Sequence, residues 1–413
     1  MLRKRPLACV IGTIDLVRPL GLAGIRCAVV AEPGDIVRYS RFTSATVDWV
    51  DPWKHPEELV ERLIRFAKEE EEKPVLYYEG DWDLLVVSRY RDRLSEVFRF
   101  VVPDATLVED LVDKARFRTL ANRLGLPVPR SVPISPAHTR PEDVDLPFPL
   151  IIKPLTRQNQ TWEPFAGAAK AVRVETPTDL RAMWSRLAET DEDVLAQELI
   201  PGSETLIESY HVYVDNHGEI AGEFTGRKIR TYPASFGFST ALTTTDAADV
   251  ADLGRDIARR LDLRGVAKLD FKRSPDGQLA LLEVNLRFNL WHHLGARAGV
   301  NLPSLVYSDL VGLPRPIVAG ARAGVRWCYT RHDARAARAA GIPLVRWLPW
   351  ALTAEAKSGM AWDDPLPLVG GSLWRLSRRL KAARKPAAGV SAATVASPSD
   401  ARTTNPDAAR RHR

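Results

Sequence analysis

Short apolar runs separated by polar or glycine-containing stretches open the chain. Leu7 to Ile11 and Cys27 to Val30 have the length of buried strands, and Leu16 to Ala23 between them reads as a helix. Glu57 to Glu70 places Leu59, Leu63, Ile64 and Ala67 on one helical face, and Pro74 to Tyr78 returns to a strand. This alternation predicts a parallel sheet covered by helices. Asp113 to Leu124 is a further helix, ended by Gly125 and then by Pro127 and Pro129.

From Pro147 the rhythm changes to strands joined by polar turns. Leu150 to Lys153, Ala171 to Val174, Val194 to Leu199, Thr205 to Val214, Glu219 to Thr225, Val266 to Phe271 and Leu279 to Val284 are strand candidates. Helices fit near Pro177 to Leu187 and Val250 to Leu261. Asp215-Asn216-His217-Gly218 and Pro275-Asp276-Gly277 are turn sequences between such strands and predict two hairpins. A hairpin-rich middle does not continue the first pattern, so a boundary near residue 110 is expected. After about residue 316 the signals weaken, although Trp347, Trp350 and Trp362 imply packing. From Pro386 onward large apolar residues almost vanish, which predicts a disordered tail.

Charge matters only once it is located. The 413 residues carry a net charge of +6, but residues 372 to 413 hold ten Lys or Arg and two Asp, a charge of +8. The other 371 residues hold 48 basic and 50 acidic side chains, which argues against a nucleic-acid groove in the folded body. Cys9, Cys27 and Cys328 are too few and too scattered for a disulfide framework or a C-x-x-C metal site, so a reduced cytoplasmic setting is expected. The apolar run after Met1 to Arg5 soon meets Gly12, Asp15 and Arg18, so it reads as a strand and not as a signal peptide. No stretch approaches the roughly 20 apolar residues of a spanning helix.

Three features carry candidate chemistry. Lys153 ends the apolar strand Leu150-Ile151-Ile152 with its ammonium aimed at the sheet edge, which suits a phosphate. Gln197-Glu198-Leu199-Ile200 runs into a Pro201-Gly202 bend that holds Glu204 just beyond it. Backbone groups at such a strand end can pair with a planar base, and the carboxylate can take two ribose hydroxyls. Asp270 lies on one apolar strand, and Glu283 and Asn285, two apart on the next, share a face. These are hard oxygen ligands of the kind that hold Mg²⁺ for nucleotide chemistry. Arg287 shares that face and could steady developing negative charge.

In this order the three features resemble the ATP-grasp ligases from about Asp113 to Asp309, most closely the carboxylate-amine ligase branch through Arg227 to Thr240. The resemblance implies an α/β and α+β architecture. A pre-ATP-grasp parallel-sheet domain (1–110) would precede an ATP-grasp domain of two α+β subdomains (111–315), a C-terminal helical extension (316–385) and a disordered basic tail (386–413). Lys114 and Lys153 match the lysines that reach the ATP phosphates, and Gln197, Glu198, Leu199 and Ile200 the adenine hinge, with Ile151 and Leu282 also in the nucleotide-binding set. Glu204 matches the ribose carboxylate. Lys228 matches a further triphosphate lysine, Asp270, Glu283 and Asn285 the ligands of one or two Mg²⁺ (or Mn²⁺) ions, and Arg287 the arginine beside the reacting centre. Gln197 stands where many relatives have an acid, and Gly167 is the single glycine of the phosphate-covering loop, Arg157 to Lys170.

The implied reaction is ATP-dependent joining of a small-molecule, peptide or sugar carboxylate to an amine through an acylphosphate, with release of ADP and phosphate. His292 and His293 read equally as substrate contacts, a base, or packing beside Trp291. A nucleotide-binding scaffold without turnover is the alternative from another class. A dinucleotide enzyme is a weaker one, because Gly12, Gly21 and Gly24 do not form G-x-G-x-x-G. Leu373 to Lys385 is a basic amphipathic helix candidate, read either as a peripheral membrane contact or as a last helix with a solvated face.

Overall fold

The computed structural model describes residues 5–155, 162, 165–167, 169–359, 361–371 and 374. The first layer contains β1 (Ala8–Ile11), α1 (Ile14–Leu22), β2 (Cys27–Ala31), β3 (Thr43–Asp48), α2 (Pro56–Lys68) and β4 (Val75–Tyr78). Its sheet runs β3-β2-β1-β4 with every pair parallel. All residues of β1, β2 and β4 are buried, as strands covered on both faces must be, and this is why they read as unbroken apolar runs. β3 escapes that reading because it is an edge strand with a mostly polar, half-exposed sequence. The chain order reverses between β1 and β4, so the loops after these two strands share one crevice.

α3 (Asp81–Arg89), α4 (Arg91–Ser95), α5 (Ala105–Val112) and α6 (Lys114–Arg123) lead out of this layer. Asp113 caps α6 by accepting the N–H groups of Ala115 and Arg116, each at 2.8 Å. A second sheet follows, made of β5 (Ser131–Ile134), β6 (Leu150–Pro154), β7 (Val172–Val174) and β8 (Val194–Glu198), with α7 (Pro177–Ala188) between the last two. It is antiparallel in the order β5-β8-β6-β7 and has its own core around Leu150, Ile152, Leu180 and Leu187.

The third and largest layer begins with β9 (Ile207–Val214), β10 (Ile220–Tyr232), β11 (Phe238–Thr245), α8 (Ala248–Arg260), β12 (Gly265–Arg273) and β13 (Leu279–Asn285). It continues through α9 (Trp291–Ala298), α10 (Leu302–Val311), β14 (Arg326–Tyr329), α11 (Thr330–Ala339), α12 (Leu344–Thr353) and β15 (Ala356–Ser358). Seven strands stand in the order β13-β12-β9-β10-β11-β14-β15, antiparallel except for the last pair. Both expected hairpins are present: Asp215 accepts the N–H groups of His217 and Glu219, and Ser274 closes the turn before β13.

Besides β3, the strands β5 and β11 have no counterpart in the sequence reading, and two further features differ from it. β10 runs on to Tyr232 and pairs with β11, where the apolar pattern suggested an end at Thr225. The segment after residue 316, expected to be helical, also contributes β14 and β15 to the large sheet. These strands are three or four residues long, too short for a period-two signal to emerge.

The first and third layers share a core in which Ile11, Leu63 and Tyr78 belong with Val212, Ile257 and Leu269. A buried polar latch also joins the first layer to the C-terminal segment. Arg18 donates to the Asp364 carboxylate at 3.2 Å and to the carbonyls of Lys357 and Gly359 at 2.5 and 2.9 Å, and Ser40 Oγ donates to the same carboxylate at 2.9 Å. The Leu373–Lys385 helix candidate, apart from Trp374, and the tail from Pro386 lie outside the described residues.

Candidate active site

Strand alternation builds one wall of a cavity. On β6, Leu150 and Ile152 turn into the core of the second sheet, which leaves Ile151 and Lys153 on the other face. β8 pairs antiparallel beside it with Gln197 opposite Ile151, and Lys153 Nζ donates to Gln197 Oε1 at 2.9 Å. Burial pushes the Lys153 ammonium down to about 8, against the opposing pull of Glu283. Past β8 the chain turns at Gly202, whose φ of +106° a side chain would strain and whose Cβ would meet Leu206 at 2.5 Å. That bend delivers Glu204.

The large sheet builds the facing wall. Ser209 of β9 stands opposite Asp270 of β12, and Asp270 stands opposite Glu283 of β13. The next row along holds His211, Lys268 and Asn285. Ser209 Oγ donates to Asp270 Oδ1, and Lys268 Nζ lies 2.5 Å from Asp270 Oδ2. Lys228 and Lys272 lie 4.0 and 3.9 Å from the Glu204 carboxylate, and Lys272 also donates to the carbonyls of Gly202 and Ser203 at 2.9 and 2.5 Å. Burial lowers the Lys272 pKa, and Lys228 lowers it further while Glu204 opposes.

The two walls enclose a cavity of about 560 Å³ lined by Ile151, Lys153, Gln197, Glu198, Leu199 and Ile200 on one side. Glu204, Lys228, Asp270, Leu282 and Glu283 line the other. Eleven of the fourteen residues singled out from sequence therefore meet in one space. Three do not. Lys114 donates to the Leu155 carbonyl at 2.8 Å and, with Asn285, lines a smaller neighbouring cavity of about 80 Å³ that shares Lys153, Gln197, Leu282 and Glu283. Arg287 lines neither cavity. Its guanidinium donates to Asp81 at the start of α3 and to Asn285 Oδ1 at 3.4 Å. Burial works against that charge, but Asp81, Glu283 and Glu79 more than offset it and raise the pKa.

Some backbone groups of residues 197–200 are already engaged. The Glu198 N–H donates to the Arg130 carbonyl at 2.9 Å, and the Leu199 N–H makes a 3.4 Å contact with the Pro149 carbonyl. Of the expected phosphate-covering loop, Arg157 to Lys170, residues 157–161, 163, 164 and 168 lie outside the described residues. Lys170 at its end lines the large cavity, and its N–H donates to the Phe236 carbonyl at 3.0 Å.

Asp270 and Glu283, facing one another across paired strands with Asn285 beside them, form an all-oxygen donor set suited to a hard cation such as Mg²⁺ or Mn²⁺. Asn285 Nδ2 is buried without a hydrogen-bond partner, while Asn285 Oδ1, the atom that would face a cation, accepts from Arg287 at 3.4 Å. Among the described residues no three His, Cys, Asp or Glu side chains are grouped to hold a metal, so phosphate and water oxygens would complete the shell.

His292 and His293 are buried and line neither cavity. His292 packs edge-on against Phe288 and His211, and burial pushes it down to about 3, so it is neutral. His293 Nδ1 lies 3.3 Å from Asp15. Lys268, Lys272 and Ser209 were missed from sequence. The signal was present for the two lysines, because residues two before and two after Asp270 on a strand must share its face.

Known proteins resemble this chain in sequence and in fold. The D-aspartate ligase of Enterococcus faecium (strain Aus0004) is 24% identical over 288 residues, covering 66% of this chain and 68% of that protein. A D-alanine–D-alanine ligase of Ectopseudomonas mendocina (strain ymp) is 30% identical over 215 residues, 48% of this chain and 64% of that one. The chain thus spans about two thirds of the length of these relatives. An N5-carboxyaminoimidazole ribonucleotide synthetase, solved as an ADP complex, superposes with a TM-score of 0.59 over 79% of this chain and 82% of that one, at 15% identity. That likeness is one of fold. No family model matches the chain.

Proposed function

We propose that the chain is an ATP-grasp ligase that phosphorylates a carboxylate with ATP and couples the resulting acylphosphate to an amine. The observation that carries this reading is the convergence of Lys153, Lys228, Glu204, Asp270 and Glu283 on one cavity between two antiparallel sheets. Its volume falls within the usual range for small-ligand sites. The names of the relatives, a D-aspartate ligase and a D-alanine–D-alanine ligase, favour an amino acid as one substrate and an amino acid or peptide amine as the other.

A carboxylate resists attack because its charge repels nucleophiles and its leaving group would be oxide. Phosphorylation removes both obstacles. Residues 197–200 take the adenine edge, Glu204 the ribose hydroxyls, and Lys153 and Lys228 the triphosphate charge, with Lys114 reaching it from the adjoining cavity. A carboxylate oxygen attacks the γ phosphorus, the bond from that phosphorus to the β–γ bridging oxygen breaks, and ADP leaves. The amine nitrogen then attacks the acyl carbon, loses a proton, and expels phosphate. Arg287, held by Asp81, stabilises the tetrahedral oxyanion. Asp270, Glu283 and Asn285 would hold Mg²⁺, which supplies charge neutralisation on the phosphate oxygens.

The three described cysteines, free and buried, fit a proposed cytoplasmic setting. The test is ADP and phosphate release over a matrix of carboxylates and amines, with Glu283→Ala as the blank. Release that requires both substrates and is lost in the variant supports the reading. AMP and pyrophosphate as products, or ATP binding without turnover on any pair, would replace it.

A further inference from the structure

Exposed large apolar side chains are scattered over most of the described residues, but seven of the fourteen fall between Leu344 and Val369. Four belong to α12. This helix buries Trp347 and Ala351 against Cys328, Ala337 and Ala354, and Trp347 Nε1 donates to Asp333 at 2.8 Å. The outward face of such a helix should be polar. Instead Leu344, Val345, Leu348 and Leu352 are 66, 78, 46 and 42% exposed. At 3.6 residues per turn they fall within an arc of about 100°. Trp362, Leu366 and Val369 follow, each more than half exposed.

Within the α11–α12 hairpin every exposed charge is basic. Arg331, Arg335 and Arg338 recur at helical spacing along the exposed side of α11, and Arg346 is exposed on α12. None of the four is paired with an acid among the described residues. The acid of α11, Asp333, is buried under Arg230, Thr240 and Trp347, and Glu355 beyond α12 is taken by Arg326.

We propose that the α11–α12 hairpin is a peripheral docking face for an anionic lipid bilayer. Leu344, Val345, Leu348 and Leu352 enter the boundary between headgroups and acyl chains, and Arg331, Arg335 and Arg338 of the neighbouring helix meet the lipid phosphates. The helix lies on the surface. At ten residues it has half the length of a span, and no helix among the described residues is long and apolar enough to cross. A second copy of the chain fits this face poorly, because a two-fold contact would bring the same arginines against one another.

Co-sedimentation of the full-length protein with vesicles tests this, using phosphatidylglycerol mixed with phosphatidylcholine, and phosphatidylcholine alone, at about 0.1 M salt. Binding to the anionic vesicles alone is expected, weakened about tenfold or more by Val345→Glu/Leu348→Glu and also by Arg335→Glu/Arg338→Glu. All four positions are solvent-exposed, so unchanged thermal unfolding and ADP release should accompany the loss, and the arginine pair carries the test if the apolar pair unfolds the protein. Removal of residues 373–413 should weaken binding yet leave its dependence on Val345 and Leu348. The proposal is overturned by equal binding to neutral vesicles, by no binding to anionic ones, or by binding that neither pair affects. A lipid-free dimer broken by Val345→Glu/Leu348→Glu would assign the face to a second copy instead.

Discussion

Lys153 Nζ donates to Gln197 Oε1 at 2.9 Å across the β6–β8 pair, so the residue that reads as a phosphate ligand is held by the residue that reads as the start of the adenine hinge. The bond joins two neutral-pH partners of unequal character. A carboxamide orients the ammonium without adding a countercharge, which leaves burial free to pull the lysine down to about 8.

A pH dependence follows from that value. Lys153 is protonated below about 8 and loses its charge as pH rises through it, so kcat/KM for ATP should fall between pH 7 and 9. Gln197→Glu puts a carboxylate against the ammonium and should move the fall upward by about one unit or more. Steady-state profiles of both proteins check this, and coincident profiles would remove Lys153 as the titrating group.

Arg287 bridges Asp81 at the start of α3 and Asn285 at the end of β13. Arg287→Ala should lower kcat on the order of a hundredfold or more while changing KM for ATP far less. Asp81→Asn leaves the guanidinium in place without its counter-ion and should cost about 1.5–3 kcal/mol of stability. Urea melts and single-turnover kinetics on the two variants separate the contributions. Unchanged turnover in Arg287→Ala would assign the arginine to structure alone.

The latch between Arg18 and Asp364 is buried at both ends, with side chains 1% and 0% exposed. Asp364→Ala strands a buried guanidinium on backbone carbonyls and should cost about 3–5 kcal/mol. Chemical denaturation measures it. A loss below about 1 kcal/mol would mean that the segment beyond β15 is not coupled to the first layer.

Cys9, Cys27 and Cys328 are buried, and burial raises all three thiols, Cys328 to about 12. None should react with a thiol reagent in the native protein at pH 8, and all three should react in denaturant. Rapid native labelling at one position would show that its surroundings open.

Much of this arrangement is legible in the sequence because alternate residues of a strand face the same way. Glu283 and Asn285 stand two apart and share a face, with Val284 between them in the core, and the turn at Pro275-Asp276-Gly277 brings β12 beside β13, whereas the register shift at Asp270–Phe271 has no local signal. What was not legible depends on contacts between distant segments. Nothing local indicates that Arg287 pairs with Asp81, 206 residues earlier, or that Lys114 turns toward the Leu155 carbonyl. The edge strand β3 and the short strands β14 and β15 lack a pattern of their own and are set by the sheets they join.

Calorimetric titration of a non-hydrolysable ATP analogue with Mg²⁺, into the wild type and into Lys153→Ala, Glu204→Ala and Lys228→Ala, bears most directly on whether both walls of the cavity grip one nucleotide. Each substitution is expected to weaken binding about tenfold or more while apo thermal unfolding stays near that of the wild type. Equal affinity in all four proteins would contradict a nucleotide site between the two sheets.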